Sequence, residues 1–174
     1  ISAGLLIKRK GVHDFAEIAR RLPQYKFIWF GTANLKLVGR EVRNAVKNAP
    51  KNLTFAGYVD KPALQAAFSG SDLFLFPTYE ENEGIVVLEA LAMNIPALLR
   101  NIPVYNGWIS SESAYLANNT DDFVRLTEDI LEERVPSLVE NGYEVVRSRS
   151  FARTGRQLAE AYERAVQICK GQAK

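Results

Sequence analysis

One cysteine, one histidine and one methionine among 174 residues leave several chemistries little to work with. A lone Cys169 excludes an internal disulfide and a cysteine-rich metal centre, and a single imidazole, His13, leaves a zinc site almost without ligands. Charge of one sign is also scarce. Lys and Arg number 22 against 20 Asp and Glu, a formal net charge of +2 that gives no argument for a nucleic-acid partner. No repeat, low-complexity tract or long charge block interrupts the chain. Its longest apolar stretch, residues 84–99, is broken by Glu89, Asn94 and Pro96 and does not read as a membrane span. With a single cysteine the chain reads as cytosolic, and no cleavable leader precedes the apolar stretch. The absence of Gly-x4-Gly-Lys-Ser/Thr removes the P-loop and kinase readings.

What is present is an apolar fraction of 47%, enough for one sizeable α/β core, and one domain over residues 1–174 is expected. Short apolar runs at 1–7, 25–30, 53–59, 73–76 and 97–100 have the length and aromatic content of strands, with a further short strand expected at 114–117. Between them lie helical stripes. Val12, Phe15, Ala16, Ala19 and Leu22 share one face of a helix stopped by Pro23, and Leu35, Val38, Val42, Ala45, Val46 and Ala49 share a face of a second over 35–49. Helices are also expected at 62–68, 85–93, 121–132, 137–147 and 154–170. In the last, Leu158, Ala161, Tyr162, Ala165, Val166 and Cys169 form a stripe, which makes Cys169 a core or interface residue rather than a nucleophile. Strands alternating with helices argue for a Rossmann-like parallel sheet sandwiched by helices, with ligand at the carboxyl ends of the strands. The loops at those ends carry Lys8, Arg9 and Lys10, several glycines, and a group of acids, which together suit a ligand with phosphate and sugar.

The acids are concentrated in Tyr79-Glu80-Glu81-Asn82-Glu83-Gly84-Ile85-Val86-Val87-Leu88-Glu89-Ala90-Leu91-Ala92. Three carboxylates fall within four residues, Gly84 allows a tight turn, and one acid, Glu89, interrupts an otherwise greasy helix. Desolvating an unpaired carboxylate costs several kcal/mol, roughly, so Glu89 needs a partner: either a protein group in the core or a ligand. Glu80, Glu81 and Glu83 are correspondingly either a solvated loop or part of a site. The start of the 85–93 helix, with unsatisfied N–H groups and the positive end of its dipole, suits an anion.

The spacing from Glu81 to Glu89 resembles the Glu-x7-Glu signature of retaining glycosyltransferases of the two-domain GT-B fold (glycosyltransferase group 1, family 4). The whole stretch, together with Asn101-Ile102-Pro103-Val104-Tyr105, is most like the bacterial branch that builds diglycosyl-diacylglycerol lipids. The resemblance implies the C-terminal, donor-binding half of a GT-B enzyme, with a nucleotide sugar, UDP-glucose or UDP-galactose, as donor and a glycosyl-diacylglycerol or similar lipid as acceptor. It implies roles in turn: Lys10 and Arg9 on the donor diphosphate, Glu81 on a hydroxyl of the transferred sugar, and Glu89 on the ribose hydroxyls. The amides of Gly84, Ile85 and Val86 would hold the leaving phosphate, Glu83 would stand beside them in the donor site, and Gly57, Tyr58 and Val59 would line the nucleobase pocket. The family's first-loop arginine is missing, since Leu5 stands there, and Asn82 and Glu83 replace its glycine and aromatic residue.

No metal and no cofactor are expected, in keeping with the absence of an Asp-x-Asp motif. Helices from about 137–174 would pack toward a missing N-terminal domain, a partner also suggested by the abrupt start on an apolar run. The resemblance places the enzyme at the inner face of the membrane, peripherally. Two other classes stay open, a GT-B sugar-nucleotide epimerase and a non-catalytic α/β binding module. A glycosidase is disfavoured: eight residues along a helix put Glu81 and Glu89 up to about 12 Å apart, against roughly 5 to 5.5 Å for a retaining hydrolase pair.

Overall fold

A computed structural model describes residues 1–172. Six strands, β1 (Ser2–Ala3), β2 (Phe27–Phe30), β3 (Leu53–Gly57), β4 (Phe74–Phe76), β5 (Ala97–Arg100) and β6 (Tyr115–Ala117), are interleaved with α1 (Val12–Arg21), α2 (Arg40–Lys47), α3 (Lys61–Ser69), α4 (Ile85–Ala92) and α5 (Thr120–Leu131). Helices α6 (Val139–Ser148) and α7 (Phe151–Gln172) follow. All strand pairs are parallel and form two three-stranded sheets, β1-β2-β3 and β4-β5-β6. The two are joined edge to edge through β1 and β4, where the Ile1 carbonyl accepts from Leu75 N at 2.9 Å. The resulting order, 3-2-1-4-5-6, is that of a doubly wound Rossmann-like fold whose direction of winding reverses between β1 and β4.

Two apolar layers follow from the period-two alternation of the strands. Leu75 and Leu98 face the layer built by Val12, Phe15 and Ile18 of α1, Val42 of α2 and Phe123 of α5, while Phe74, Phe76 and Leu99 face Phe68 of α3 and Val87 and Leu91 of α4. Trp29 is wholly buried in the first of these layers, edge-on to Phe15 at 5.2 Å, and its indole N–H donates to Gly4 O at 2.9 Å. A buried tryptophan needs that partner.

Several elements differ from their sequence expectations. The first strand is two residues instead of seven, because Gly4, at φ 155°, turns the chain away and residues 8–10 close into a 3-10 turn. Helix α2 begins at Arg40 and not at Leu35. The Arg43 guanidinium donates to the carbonyls of Leu35, Lys36 and Val38 at 3.0 to 3.3 Å, so three carbonyls of the preceding segment are satisfied without helical bonds. Cys169 is exposed, and so are the other stripe residues of α7; of the two expected positions, core or interface, the exposure removes the core one. Residues 173–174, the end of the segment expected to reach a second domain, lie outside the described residues. Helix α6 does pack, against α4, with Gly142 placed where a Cβ would stand 2.7 Å from Leu91 Cδ2.

At the end of β5 lies a buried ion pair that no local pattern announced. Arg100 leaves the end of β5 and donates to Asp14 Oδ2 on α1 at 2.6 Å and to Pro77 O at 3.0 Å. Thr120 supplies a further donor to Asp14 Oδ1 at 3.2 Å, and the guanidinium lies 4.0 Å from the centre of the Tyr79 ring. Both charged side chains are about nine-tenths buried. Such a pair adds little by itself, since desolvation offsets attraction, but removing one partner strands the other. Asp14→Ala is therefore expected to destabilise the fold by about 3–5 kcal/mol, and Asp14→Ala with Arg100→Met to recover much of it. Urea unfolding with an unchanged slope and a lowered midpoint checks the first; an equal loss in the double variant would contradict the stranded-charge account.

Candidate active site

The winding reversal between β1 and β4 leaves a crevice at their carboxyl ends, and the backbone there is tightly tied. Tyr79 N donates to Arg9 O at 2.7 Å, and the Arg9 guanidinium returns a bond to Glu80 O at 2.9 Å. Gly11 sits so close to Pro77 that a Cβ on it would lie 2.2 Å from the Pro77 carbonyl oxygen. The basic turn after β1 and the acidic loop after β4 thus form one surface. Two helices start from this surface, α1 at Gly11 and α4 at Gly84. Both glycines are left-handed, with φ 72° and 80°, and neither helix has a side-chain cap. Helices α3 and α5, by contrast, are capped by Asp60 and Asn119. At α4 the first amides are left available, as anion binding at a helix start requires.

The cleft between these loops has a volume of about 510 Å³ and is lined by Leu5, Arg9, Lys10, Glu81, Glu83, Gly84, Ile85 and Val86, among others. A hollow of similar size, about 580 Å³, lies at the opposite ends of the strands, bordered by Ile1, Tyr25, Leu73 and Leu131. Size does not separate the two; in a doubly wound sheet the carboxyl ends do.

Lys10 and Glu81, 71 positions apart in the chain, form an ion pair in the cleft, both side chains about nine-tenths buried. The ammonium also stands 5.2 Å from the centre of the Phe76 ring, and its aliphatic stem covers Gly4 at 3.6 Å from where a Cβ would be. Thr78, fully buried, places its hydroxyl 3.0 Å from Glu81 Oε1 and 3.1 Å from both Arg9 O and Glu80 O. One hydroxyl proton serves one of these acceptors at a time, so Lys10 is the main partner of the carboxylate. The cleft therefore offers two cations, uncapped amides and carboxylates within one concave surface, a set that can receive an anionic group and hydroxyls together.

The remaining residues singled out in the sequence stand apart from this lining. Glu89 lies just over one turn into α4, half-buried, and among the described residues it has neither hydrogen-bond nor ion-pair partner; the protein does not already occupy its carboxylate. Gly57 ends β3 at φ 76°, Tyr58 is 80% exposed and Val59 is half-buried, on the far side of β1 from the acidic loop. Sequence reasoning missed Thr78, Arg100 and Asp14, which hold the loops, and left Tyr105 without a role. The Tyr105 ring packs beneath Gly84, 3.2 Å from where a Cβ would be, and burial, then the Glu81 charge, pushes its phenol well above the usual tyrosine range.

Residues 1–145 match the model of the family described as glycosyl transferases group 1. The chain is 44% identical over 169 residues to a processive diacylglycerol alpha-glucosyltransferase of Acholeplasma laidlawii, covering 97% of this chain and 51% of that protein. It is 35% identical over 108 residues to an alpha-galactosylglucosyldiacylglycerol synthase of Streptococcus pneumoniae, covering 60% of this chain and 29% of the relative. The chain thus spans about half, or less, of the length of these curated relatives. Among solved structures, a sucrose-phosphate synthase of Thermosynechococcus elongatus superposes with a TM-score of 0.81 at 20% identity, over 96% of this chain and 46% of that one. HepE of Anabaena, solved with UDP and glucose, superposes with a TM-score of 0.75 at 18% identity, over 93% of this chain and 48% of the other. At such identities the likeness is one of fold.

Two glycines separate backbone strain from close approach. Both Gly11 and Gly57 are left-handed, but only Gly11 faces another backbone, while space around Gly57 is open. Gly57→Ala is expected to cost about 1–2 kcal/mol, the left-handed penalty alone, and Gly11→Ala distinctly more, as Pro77 must be pushed away. Equal losses in chemical denaturation would show that the loop contact adds nothing.

Proposed function

The chain belongs to the glycosyl transferases group 1 family, and on that premise we propose that it is the donor-binding half of a retaining hexosyltransferase, using UDP-glucose or UDP-galactose to extend a glycosyl-diacylglycerol. The observation that carries this reading is the meeting of Lys10, Arg9, Glu81 and the uncapped start of α4 in one cleft at the winding reversal. A diphosphate would take the amides of Gly84, Ile85 and Val86 with the cations of Lys10 and Arg9. Glu81 would then face a hydroxyl of the hexose, Glu89 the ribose diol, and the 57–59 segment the base.

Chemistry follows from charge stabilisation. As the bond from the anomeric carbon to the phosphate oxygen breaks, negative charge grows on the diphosphate, where preorganised amides and cations stabilise it more than in the ground state. The new bond forms from the acceptor oxygen to the same carbon on the face the diphosphate leaves, and the acceptor proton passes to the departing phosphate oxygen. No protein base in this chain is required.

The acceptor side, including the lipid and its membrane surface, is assigned to the part of the enzyme beyond this half, so the 174-residue chain alone should bind nucleotide and transfer nothing. That part of the reading draws support from the 44% identical glucosyltransferase, nearly twice as long. Peripheral association at the inner face is the proposed location, by the likeness to enzymes named for diacylglycerol lipids; no helix among the described residues is long and apolar enough to cross a membrane.

Calorimetry with UDP, GDP and ADP tests the nucleotide assignment, with UDP expected to bind tightest. Lys10→Ala should weaken UDP about 10- to 100-fold, as loss of a charge-assisted contact does. Glu89→Gln should weaken UDP and erase its advantage over 2′-deoxy-UDP. No heat with any nucleotide at millimolar concentration would sink the proposal.

A further inference from the structure

Loading the cleft with a diphosphate creates a problem for Glu81 that the rest of the site must solve. In the free protein Glu81 is paired with Lys10, and the same ammonium is the group a diphosphate would claim. Once Lys10 turns to phosphate, a carboxylate about nine-tenths buried loses its cation and keeps only a share of the Thr78 hydroxyl. An under-satisfied buried carboxylate would drift toward solvent or pick up a proton, and either change would spoil its hold on a sugar hydroxyl.

One buried donor beside this loop has no acceptor. Tyr105 is 98% buried, being 2% exposed, and its hydroxyl makes no hydrogen bond to any described residue. It lies beneath the hinge of the acidic loop, its oxygen 3.6 Å from where a Cβ on Gly84 would stand. The ring is held in place by Trp108, edge-on at 5.5 Å, and by the 3-10 turn Pro103–Tyr105 that follows β5. The hydroxyl thus comes from a rigid support at the floor of the loop. The charge of Glu81 already reaches this phenol, raising its proton affinity beyond what burial does. A phenol that holds its proton tightly stays a donor throughout the working pH range.

We propose that Tyr105 is a positioning residue for the sugar-holding carboxylate: when Lys10 leaves Glu81 for the donor diphosphate, the Tyr105 hydroxyl donates to Glu81 and keeps it ionised and in place. Tyr105 then acts through Glu81 and touches neither phosphate nor base. The inference rests on the donor-binding reading, but its consequences are separate.

The test compares the intact enzyme with its Tyr105→Phe variant, an isosteric change that removes only the hydroxyl. Without ligand the melting temperature should stay the same or rise slightly, since a buried hydroxyl with no partner contributes nothing to the free state. UDP affinity should fall too, but by less than UDP-hexose affinity, because the UDP diphosphate also claims Lys10 yet offers no sugar hydroxyl for Glu81 to hold. UDP-hexose affinity should fall about 5- to 10-fold and kcat should fall with it, as expected for one bond to a charged group. In a Glu81→Gln background Tyr105→Phe should have little further effect. Unchanged UDP-hexose binding and turnover would overturn the proposal, as would equal weakening of UDP and UDP-hexose, or additive effects of the two substitutions. A large drop in melting temperature of the free variant would also overturn it, assigning the hydroxyl a structural role. If the unmodified enzyme bound neither UDP nor UDP-hexose, the donor-binding reading would fail first.

Discussion

The contact between the turn after β1 and the loop after β4 is the constraint on which this structure depends. Two segments far apart in sequence are joined by a backbone bond from Tyr79 to Arg9, by the Gly11 approach to Pro77, and by Arg100, which braces Pro77 from below while anchored on Asp14. Each element uses a group with no substitute of similar geometry. Only glycine fits against the Pro77 carbonyl, and a planar guanidinium can bond a carbonyl and a carboxylate while its face lies against an aromatic ring. Because Arg100 also ends β5 and Asp14 lies on α1, strand order and loop geometry are set together.

From that seam the electrostatics of the cleft follow. The seam brings Lys10 against Glu81, and the shared pair keeps two charged groups buried without stranding either. Such an arrangement is stable when empty, yet each half remains suited to a different part of one ligand, the cation to phosphate and the carboxylate to hydroxyls. On the proposed reading, binding would exchange one ion pair for contacts of similar kind. The open start of α4 contributes without any rearrangement, because its amides are fixed by the helix they begin.

The apolar face of α7 is exposed, and Glu89 is half-buried with no partner among the described residues. Helix α7 carries Leu158, Tyr162, Val166 and Ile168 largely to solvent. Relatives of about twice this length, and solved structures of which this chain covers less than half, match along this chain, which accords with a second body being present in those proteins.

Most of the elements and the chemistry of the two loops were readable from the residues, because both are local. Helical stripes such as Phe15, Ala16 and Ala19 and strand runs such as Phe74 to Phe76 record their own periodicity, and Glu81 to Glu89 sit together in the chain. Where sequence reasoning overreached, a side-chain bond had intervened: Arg43 took the carbonyls that would have begun α2 earlier. Pairing at long separation was decided by the tertiary structure alone. That β1 lies beside β4, that Lys10 therefore meets Glu81, that Arg100 finds Asp14, and that Tyr105 ends beneath Gly84 all depend on strand order, for which no residue's immediate neighbours hold a record. Periodicity and turn chemistry act over a few residues, whereas strand order is chosen by the packing of whole layers, and the site exists only once that choice is made.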